Sequence, residues 1–169
     1  RLGESDVVVA GGMESMSQAP FTTYGIRAGI PFGVQPVMQD SLFAALMDPV
    51  AGLYMAQTAE KVAKRLGITR EQQDALSVES HRRAAAAIAA GYFKSQIVPI
   101  VKQTRKGEVT FDTDEHVKAS TTMETLAKMK PAFKKDGTVT AGNASGINDG
   151  AAFFVLAAAD VAAKNGQKA

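Results

Sequence analysis

Small polar residues are concentrated between residues 141 and 152, in the sequence AGNASGINDGAA, immediately before an apolar run. Side chains this small allow a ligand or a second loop to contact the backbone. The stretch is therefore a candidate binding loop, although a plain surface turn explains the composition equally well. Ser145 is a poor candidate nucleophile, because no Gly-x-Ser-x-Gly sequence surrounds it and neither histidine is close in sequence.

A second glycine-rich stretch, VVVAGGMESMS, covers residues 7–17. Gly11 and Gly12 directly follow a β-branched run, where another element of the fold can approach the backbone closely. We expect a sharp change of chain direction at these glycines. The spacing does not match a dinucleotide-binding turn, so the stretch is not a nucleotide site.

The composition excludes several kinds of chemistry. The 169 residues include no cysteine, which excludes a cysteine nucleophile, a disulfide or a cysteine metal site within the chain. His81 and His116 are too few for a zinc centre without carboxylate ligands, so we expect no metal. A net charge of +2, spread along the chain, argues against a nucleic-acid partner.

No apolar run approaches the ~20 residues of a membrane span, and the N-terminal residues lack the features of a signal peptide. We therefore expect no membrane partner and take a cytoplasmic location as the default. The chain does not begin with methionine, and residues 158–168 look like a helix that runs into an ordinary loop, with Gly166 as its stop. These features predict an internal piece of a longer chain.

The elements that position the candidate loops form an α/β pattern. Residues 7–10 and 151–156 are short, fully apolar runs typical of buried strands. Between them, residues 17–52 are punctuated by proline and glycine and predict a long loop with short elements. Two buried strands without the rest of a sheet between them require neighbours that this sequence does not supply.

The central part of the chain predicts a helical hairpin followed by a ribbon. Met55, Ala59, Val62, Ala63 and Leu66 recur at helical spacing before Gly67, and Thr69 with Gln72 forms a capping box for a helix ending near Gly91. Residues 97–101 and 108–111 predict a β-ribbon around Lys106-Gly107, with Pro99 marking an edge strand. Thr121 with Glu124 predicts a further short helix that Lys130-Pro131 ends, and residues 138–140 are expected to be extended.

These motifs, in this order and at this separation, resemble the thiolases, enzymes that make or cleave 3-ketoacyl-CoA by Claisen chemistry. The resemblance rests on the stretches DVVVAGGMESMSQAP and GTVTAGNASGINDGAA. It is extended by TAEKVAKRLGITREQQDALSVESHRRA, GYFKSQIVPI and TDEHVKASTTMETLAKMKPAFKKDGTVTAGN, and so covers essentially the whole chain.

The resemblance implies a layered αβαβα fold, of which this chain holds part of the N-terminal half and an inserted α+β loop domain. Residues 1–17 would end the N-terminal half, residues 18–140 would form the loop domain, and residues 141–169 would return to the N-terminal half. The 17–52 loop would carry assembly contacts, so a homo-oligomer, dimer or tetramer, is expected. Its many apolar side chains favour a partner surface over a free excursion.

Thiolases use a nucleophilic cysteine upstream of the GGMES strand, and a histidine and a second cysteine downstream. All three fall outside this chain, so the resemblance implies that no catalytic residue lies here. It implies an acyltransferase of fatty acid metabolism, an acetyl-CoA acetyltransferase or 3-ketoacyl-CoA thiolase (β-ketothiolase), whose acyl-CoA substrate is bound in part by this segment. No permanently bound cofactor is expected, and the fragment alone should be inactive.

The family's coenzyme A contacts map by motif onto eight positions, six in the loop domain and two just after it. They are Leu46, Tyr54, Met55, Lys118, Thr125, Phe133, Ala141 and Ser145. Leu46, Met55, Phe133 and Ala141 would line the pantetheine arm, Ser145 would hydrogen-bond a pantetheine amide, and Lys118 would face the nucleotide phosphates. From the residues alone each position has a structural alternative, such as a core role for Met55 or a loop anchor for Phe133.

Two positions depart from the short-chain biosynthetic pattern. Tyr54 stands where those enzymes commonly carry histidine, which leaves longer 3-ketoacyl-CoA substrates open. Lys118 stands where many have arginine, and it offers a point charge in place of a two-pronged donor.

His81 is expected to be exposed and His116 to be structural. Two alternatives stay open: a self-standing CoA-binding or scaffold domain, and one chain of a split enzyme.

Overall fold

A computed structural model describes residues 3–167. Within that range the chain forms β1 (Val7–Ser15), β2 (Phe21–Thr23), β3 (Met38–Asp40), α1 (Ser41–Ala45), β4 (Met47–Asp48), β5 (Leu53–Tyr54), α2 (Met55–Leu66), α3 (Arg70–Ala89), β6 (Ile100–Thr104), β7 (Gly107–Phe111), α4 (Met123–Ala127), β8 (Asp149–Ala157) and α5 (Ala159–Lys164). Single 3-10 turns lie at Met16–Gln18 and Ile26–Ala28. The described residues separate into two units, one from residues 3–42 and 147–167, the other from residues 43–146.

The first unit is built on the antiparallel pair β1 and β8, whose register runs from Val7 opposite Ala157 to Ser15 opposite Asp149. Both predicted strands are confirmed. The predicted change of direction at Gly11-Gly12 is wrong, because β1 continues straight to Ser15. Gly11 is needed for space: a β-carbon there would overlap the Phe153 ring and the carbonyl oxygen of Ala152.

The prediction that these strands are buried is also wrong for the described chain. Val9 is 69% exposed, and Phe153 and Phe154, on opposite faces of β8, are both 65% exposed. The physical reason is that the sheet has two strands within residues 3–167, so neither face is covered by a further layer.

The remaining parts of the first unit agree with the prediction of a long loop with short elements. Strands β2 and β3 pair antiparallel with Phe21 opposite Asp40, and the Ser41 backbone N–H donates to the Pro20 carbonyl oxygen at 3.1 Å. The predicted C-terminal helix is α5, and Gly166 follows it with a φ of 66°. Lys168, which the prediction included, lies outside the described residues.

The second unit contains the predicted helical hairpin. Gly67 ends α2 in the left-handed conformation, with its backbone N–H donating to the Ala63 carbonyl oxygen. At the start of α3, the Thr69 N–H donates to Gln72 Oε1 at 2.9 Å and the Gln72 N–H donates to Thr69 Oγ1 at 3.2 Å. This reciprocal pair confirms the predicted capping box.

The predicted apolar stripe of α2 is buried only at Ala63. Met55 is 49% exposed and Leu66 is 66% exposed, whereas Glu60, which the stripe did not include, is buried. The reason is that the segment after Phe133 docks on the Glu60 side, where the carboxylate accepts backbone N–H groups. Hydrogen bonding therefore decides the buried face, against the apolar pattern.

The predicted ribbon and short helix of this unit are confirmed with shifted bounds, and α4 ends at Ala127, before the predicted end at Lys130-Pro131. Strands β6 and β7 form the ribbon with Thr104 opposite Gly107, and Pro99 precedes β6. The capping box of α4 is displaced by one residue from the prediction: it uses Thr122 and Thr125. Residues 138–140 are held by side chains and form no strand. Within residues 3–167 no helix is both long and apolar enough to span a membrane.

Candidate functional site

A tight hairpin brings Leu46, Tyr54 and Met55 together in the second unit. The Asp48 carboxylate accepts the backbone N–H groups of Val50 at 2.8 Å and Ala51 at 3.1 Å, which closes the turn between β4 and β5. Hydrogen bonds from Ala51 and then Val50 lower the pKa of Asp48 below its ordinary value. The turn is thus held by an ionised side chain.

Contacts on either side of this turn fix the three predicted positions. Met47 pairs with Tyr54 across the hairpin, and the Met55 N–H donates to the Leu46 carbonyl oxygen at 3.2 Å. The Phe43 and Tyr54 rings meet edge to face with their centroids 5.9 Å apart. The arrangement places an aromatic ring and two flexible apolar side chains at the start of α2.

Lys118 lies in the connection before α4 and is held through its backbone. Its N–H donates to His81 Nδ1 at 3.2 Å, and its carbonyl oxygen accepts the Thr121 N–H at 3.1 Å. The Lys118 side chain is exposed. His81 is half-buried, so the prediction of an exposed residue is wrong, because its ring packs toward this connection with the His116 ring 6.1 Å away.

Thr125 serves the local structure of α4. Its hydroxyl accepts the Thr122 N–H at 3.1 Å and donates to the Thr122 carbonyl oxygen at 2.8 Å. The Thr122 hydroxyl in return accepts the Thr125 N–H at 3.2 Å. A ligand contact at Thr125 would therefore use a side chain whose rotamer the helix cap already sets.

Phe133 lines a groove of about 320 Å³ on the α2 side of the unit. Leu53, Gln57 and Glu60 contribute to the groove, and its rim carries three lysines, Lys61, Lys64 and Lys134. Of the predicted contact positions, Phe133 is the one that lines this groove. Leu53 lies next to Tyr54 in β5, which connects the groove along the chain to the hairpin positions.

The Glu60 carboxylate, 9% exposed, holds the backbone that follows Phe133. Its Oε1 accepts the N–H groups of Thr138 and Val139, each at 2.8 Å, and its Oε2 accepts the Thr138 hydroxyl at 3.1 Å. Desolvation raises the pKa of Glu60, but hydrogen bonds from Val139 and Thr138 and the Lys134 charge together lower it below its ordinary value. Glu60 is therefore an ionised carboxylate whose two oxygens both accept hydrogen bonds from the 138–139 segment.

A second buried carboxylate, Asp74 on α3, is 2% exposed and organises the next part of the same segment. Its Oδ2 accepts Arg70 Nε at 2.7 Å and its Oδ1 accepts Asn143 Nδ2 at 2.9 Å. The same Asn143 nitrogen donates to the Thr138 carbonyl oxygen at 2.9 Å, and Asn143 Oδ1 accepts the Thr140 N–H at 2.7 Å. Asn143 thus uses both of its side-chain N–H groups and accepts one hydrogen bond within the protein.

Arg70 extends this arrangement to the end of α4. Its Nη2 donates to the carbonyl oxygens of Leu126 at 2.6 Å and Met129 at 3.1 Å. The final carbonyls of a helix lack partners within the helix, so a guanidinium donor stabilises them. Leu126 itself is 1% exposed and packs beneath the segment, where it leaves no space for a β-carbon at Gly142.

Ala141 and Ser145 are exposed on the segment that these side chains hold. The structure thus groups Leu46, Tyr54 and Met55 at the hairpin and puts Lys118 and Thr125 in the connection and helix beside α3. Phe133, Ala141 and Ser145 lie along the segment that crosses from the groove to Asn143. Glu60, Asp74 and Asn143 were not predicted from the sequence. A signal was available for Asp74, in its i,i+4 spacing from Arg70.

Among residues 3–167 no cluster of histidine and carboxylate side chains could hold a metal ion. The predicted contact positions offer apolar side chains, the exposed Lys118, and Ala141 and Ser145 exposed on one loop.

Comparison with known proteins identifies the class of protein to which this arrangement belongs. The thiolase N-terminal domain family matches residues 1–160. The chain belongs to the thiolase family. This confirms the resemblance inferred from the sequence motifs and the α/β fold that it implied.

Individual relatives agree with the family match. The chain is 51% identical over 168 residues to the β-ketothiolase BktB of Cupriavidus necator, covering 99% of this chain and 42% of the relative. It is 46% identical over 162 residues to human mitochondrial 3-ketoacyl-CoA thiolase, covering 96% of this chain and 41% of the relative. The chain therefore spans about two fifths of the length of the curated relatives it matches.

Solved structures give the same result for the fold. The crystal structure of human mitochondrial 3-ketoacyl-CoA thiolase superposes with a TM-score of 0.88 at 45% identity, covering 98% of this chain and 42% of that one. A structure of the same human enzyme in complex with CoA has a TM-score of 0.85 at 44% identity, covering 98% of this chain and 41% of that one. The acetyl-CoA acetyltransferase of Bacillus anthracis gives 0.86 at 46% identity, with 99% and 42% covered.

Proposed function

We propose that this chain supplies the coenzyme A-binding part of a thiolase that transfers acyl groups to and from coenzyme A. The supporting observation is the match over nearly the whole chain to thiolases, one of them solved in complex with CoA. The parent reaction would be condensation of acetyl-CoA or thiolysis of a 3-ketoacyl-CoA. The loop domain, assigned here to residues 18–140, would carry most of the ligand contacts.

We propose that different residues contact different parts of the ligand. Leu46, Met55, Phe133 and Ala141 would contact the pantetheine arm, and Ser145 would hydrogen-bond one of its amides. The exposed ammonium of Lys118 would face the nucleotide phosphates, while its backbone is held by His81. Tyr54 and Thr125 would complete the contacts, Tyr54 from a ring already fixed against Phe43.

Acyl transfer also requires a thiolate to hold the acyl group as a thioester and a base to remove an α-proton. The chain has no cysteine. We propose that the thiolate and the acid-base groups belong to other residues of a thiolase-length protein. The open faces of the β1 and β8 ribbon favour such completion over a self-standing scaffold domain, because the apolar side chains exposed on both faces of this two-stranded sheet need a covering layer.

Isothermal titration of the chain with coenzyme A and with adenosine 3′,5′-bisphosphate tests the binding proposal. Both ligands should bind saturably, and Lys118→Ala should weaken both by about tenfold, because a charge-assisted contact to phosphate is lost. Lys94→Ala, another exposed lysine of the second unit, is the matched control and should leave affinity unchanged. Absence of saturable binding by the unmodified chain would overturn the proposal.

A thiolysis assay with acetoacetyl-CoA and a longer 3-ketoacyl-CoA tests the catalytic part of the proposal. The 17.8 kDa chain, its mass verified, should show no turnover with either substrate. Turnover by these 169 residues alone would show that a nucleophile other than cysteine operates within them.

A further inference from the structure

Three polar side chains of the second unit form linked hydrogen bonds and are not among the proposed ligand contacts. Glu60, Asp74 and Asn143 are joined through the backbone of residues 138–140, and we call this set the carboxylate–amide network. Two of its members are charged groups with exposures of 9% and 2%. Burying carboxylates is costly unless every oxygen is satisfied, so a network of this kind specifies one backbone conformation.

The network acts on a short segment from two helices at once. Glu60 on α2 fixes the N–H groups of Thr138 and Val139, and Asp74 on α3 fixes Asn143. Asn143 closes the loop on itself through the Thr138 carbonyl oxygen and the Thr140 N–H. Both ends of residues 138–143 are therefore tied to rigid helices.

The network also sets the positions of two exposed residues on this segment. Ala141 lies inside the closed loop and Ser145 lies two residues beyond Asn143, and both are solvent-accessible positions proposed to contact the pantetheine arm. Gly142 rests against Leu126 with no room for a side chain, so the loop cannot shift toward α4 to compensate. The placement of Ala141 and Ser145 thus depends on Asn143.

We infer that Asn143, held by Asp74 and by the loop that Glu60 anchors, is a positioning residue for the pantetheine arm of coenzyme A. It acts through Ala141 and Ser145 without touching the ligand. The inference rests on the proposed function, since it concerns the same ligand. A loop that is ordered before binding spares the ligand the entropic cost of ordering it.

Two ligands separate positioning from simple stability. Coenzyme A carries the pantetheine arm, and adenosine 3′,5′-bisphosphate retains the nucleoside with its 3′-phosphate and one 5′-phosphate but lacks the arm. In titrations at a temperature where circular dichroism shows each variant folded, Asn143→Ala should weaken coenzyme A binding about tenfold. Affinity for adenosine 3′,5′-bisphosphate should stay within about twofold of the unmodified chain, because none of the network's hydrogen bonds involves Lys118, the residue proposed to face the phosphates.

Exchanging the carboxylate and the amide between positions 74 and 143 tests the inference even if Asn143→Ala does not fold. Asn143→Asp puts a second carboxylate against buried Asp74 and should weaken coenzyme A binding more than Asn143→Ala. Adding Asp74→Asn should recover most of the loss, since the amide introduced there could donate to the new carboxylate and still accept from Arg70. Asn165→Ala, an exposed amide, is the matched control.

The outcomes are distinguishable. If the unmodified chain binds neither ligand, the proposed function and this inference are both wrong. If it binds coenzyme A and folded Asn143→Ala binds equally well, the inference alone is overturned. Equal weakening of both ligands would also overturn it, because the effect would then not be specific to the pantetheine arm.

Discussion

Asn143 Nδ2 lies 2.9 Å from Asp74 Oδ1, although 69 residues separate the two in sequence. The bond joins a loop of small residues to the first turns of α3, and it lies in the most buried part of the second unit. A neutral amide donor beside a buried carboxylate supplies a partner without adding another charge. The order of the 138–143 loop is consequently a property of the packed helices.

We predict that Asn143→Ala lowers the free energy of unfolding by about 2–3 kcal/mol. The substitution leaves Asp74 Oδ1, the Thr138 carbonyl oxygen and the Thr140 N–H short of a partner in a region with little water. Urea denaturation followed by circular dichroism measures the change. Gln96→Ala, at an exposed position, should change it by less than about 0.5 kcal/mol. A loss no larger than that of Gln96→Ala would show that the network is not a stabilising feature.

The stability of the chain should respond to acid partly through Glu60. Its pKa is lowered from 4.5 in the folded chain. A lowered folded pKa contributes stability that is complete above the unfolded value and is lost as the pH falls through the folded value. The difference in unfolding free energy between the unmodified chain and Glu60→Gln should therefore shrink from about pH 6 to about pH 3.

Comparing these two proteins in the same buffers isolates Glu60 from other carboxylates of lowered pKa, such as Glu79, whose pKa falls to about 2 beside Arg82 and Arg83. Those groups are common to both chains and cancel in the difference. A difference that is constant with pH would mean that Glu60 titrates as it does in the unfolded chain.

Local signals in the sequence predicted most helices and strands. The capping box at Thr69, the stop at Gly67 and the ribbon turn at Gly107 depend on residues within a few positions of one another, so single-sequence reasoning found them. Burial was harder. The apolar pattern of α2 pointed to Met55 and Leu66, while the buried face is set by Glu60, whose partners lie 78 and 79 residues away.

The site shows the same division. The contact positions came from motifs that resemble a family, and their ligand roles stay predictions. The hairpin that joins Leu46 to Met55 is local, but the joining of Asp74 to Asn143 requires the tertiary fold. Exposure of Val9 and Phe154 does not follow from the composition of the two runs, which are as apolar as a buried strand, but from the lack of sheet neighbours for them within the described residues.

Gly142 and Leu126 should be energetically coupled. A β-carbon at position 142 would overlap the Leu126 side chain and the Met129 sulfur. We expect Gly142→Ala to cost about 1–3 kcal/mol by overpacking and Leu126→Ala to cost about 2–5 kcal/mol by leaving a cavity. The double variant should be more stable than the sum of the two losses predicts, since each change relieves the other. Additive losses in a double-mutant cycle would exclude the contact.

The β1 and β8 ribbon should make the isolated chain self-associate. Val155 is 70% exposed and Leu156 is 56% exposed on opposite faces of β8. Apolar surface of this extent binds other apolar surface in water. Sedimentation velocity should show concentration-dependent association, reduced by Val155→Lys and by Leu156→Lys but unaffected by Lys94→Ala. A monomer over the whole micromolar range would contradict the exposure of these side chains.

His81 should control the order of the Lys118 connection. Its Nδ1 accepts the Lys118 N–H, which requires a neutral ring, because a protonated imidazole offers no acceptor. The amide introduced by His81→Asn carries an acceptor oxygen as many bonds from Cα as Nδ1 is, whereas a leucine offers none. Hydrogen exchange at the Lys118 amide should therefore be about tenfold faster in His81→Leu and close to unchanged in His81→Asn. If coenzyme A binds as proposed, its affinity should follow the same order. Equal exchange in the two variants would mean that the imidazole fills space there and does not position Lys118.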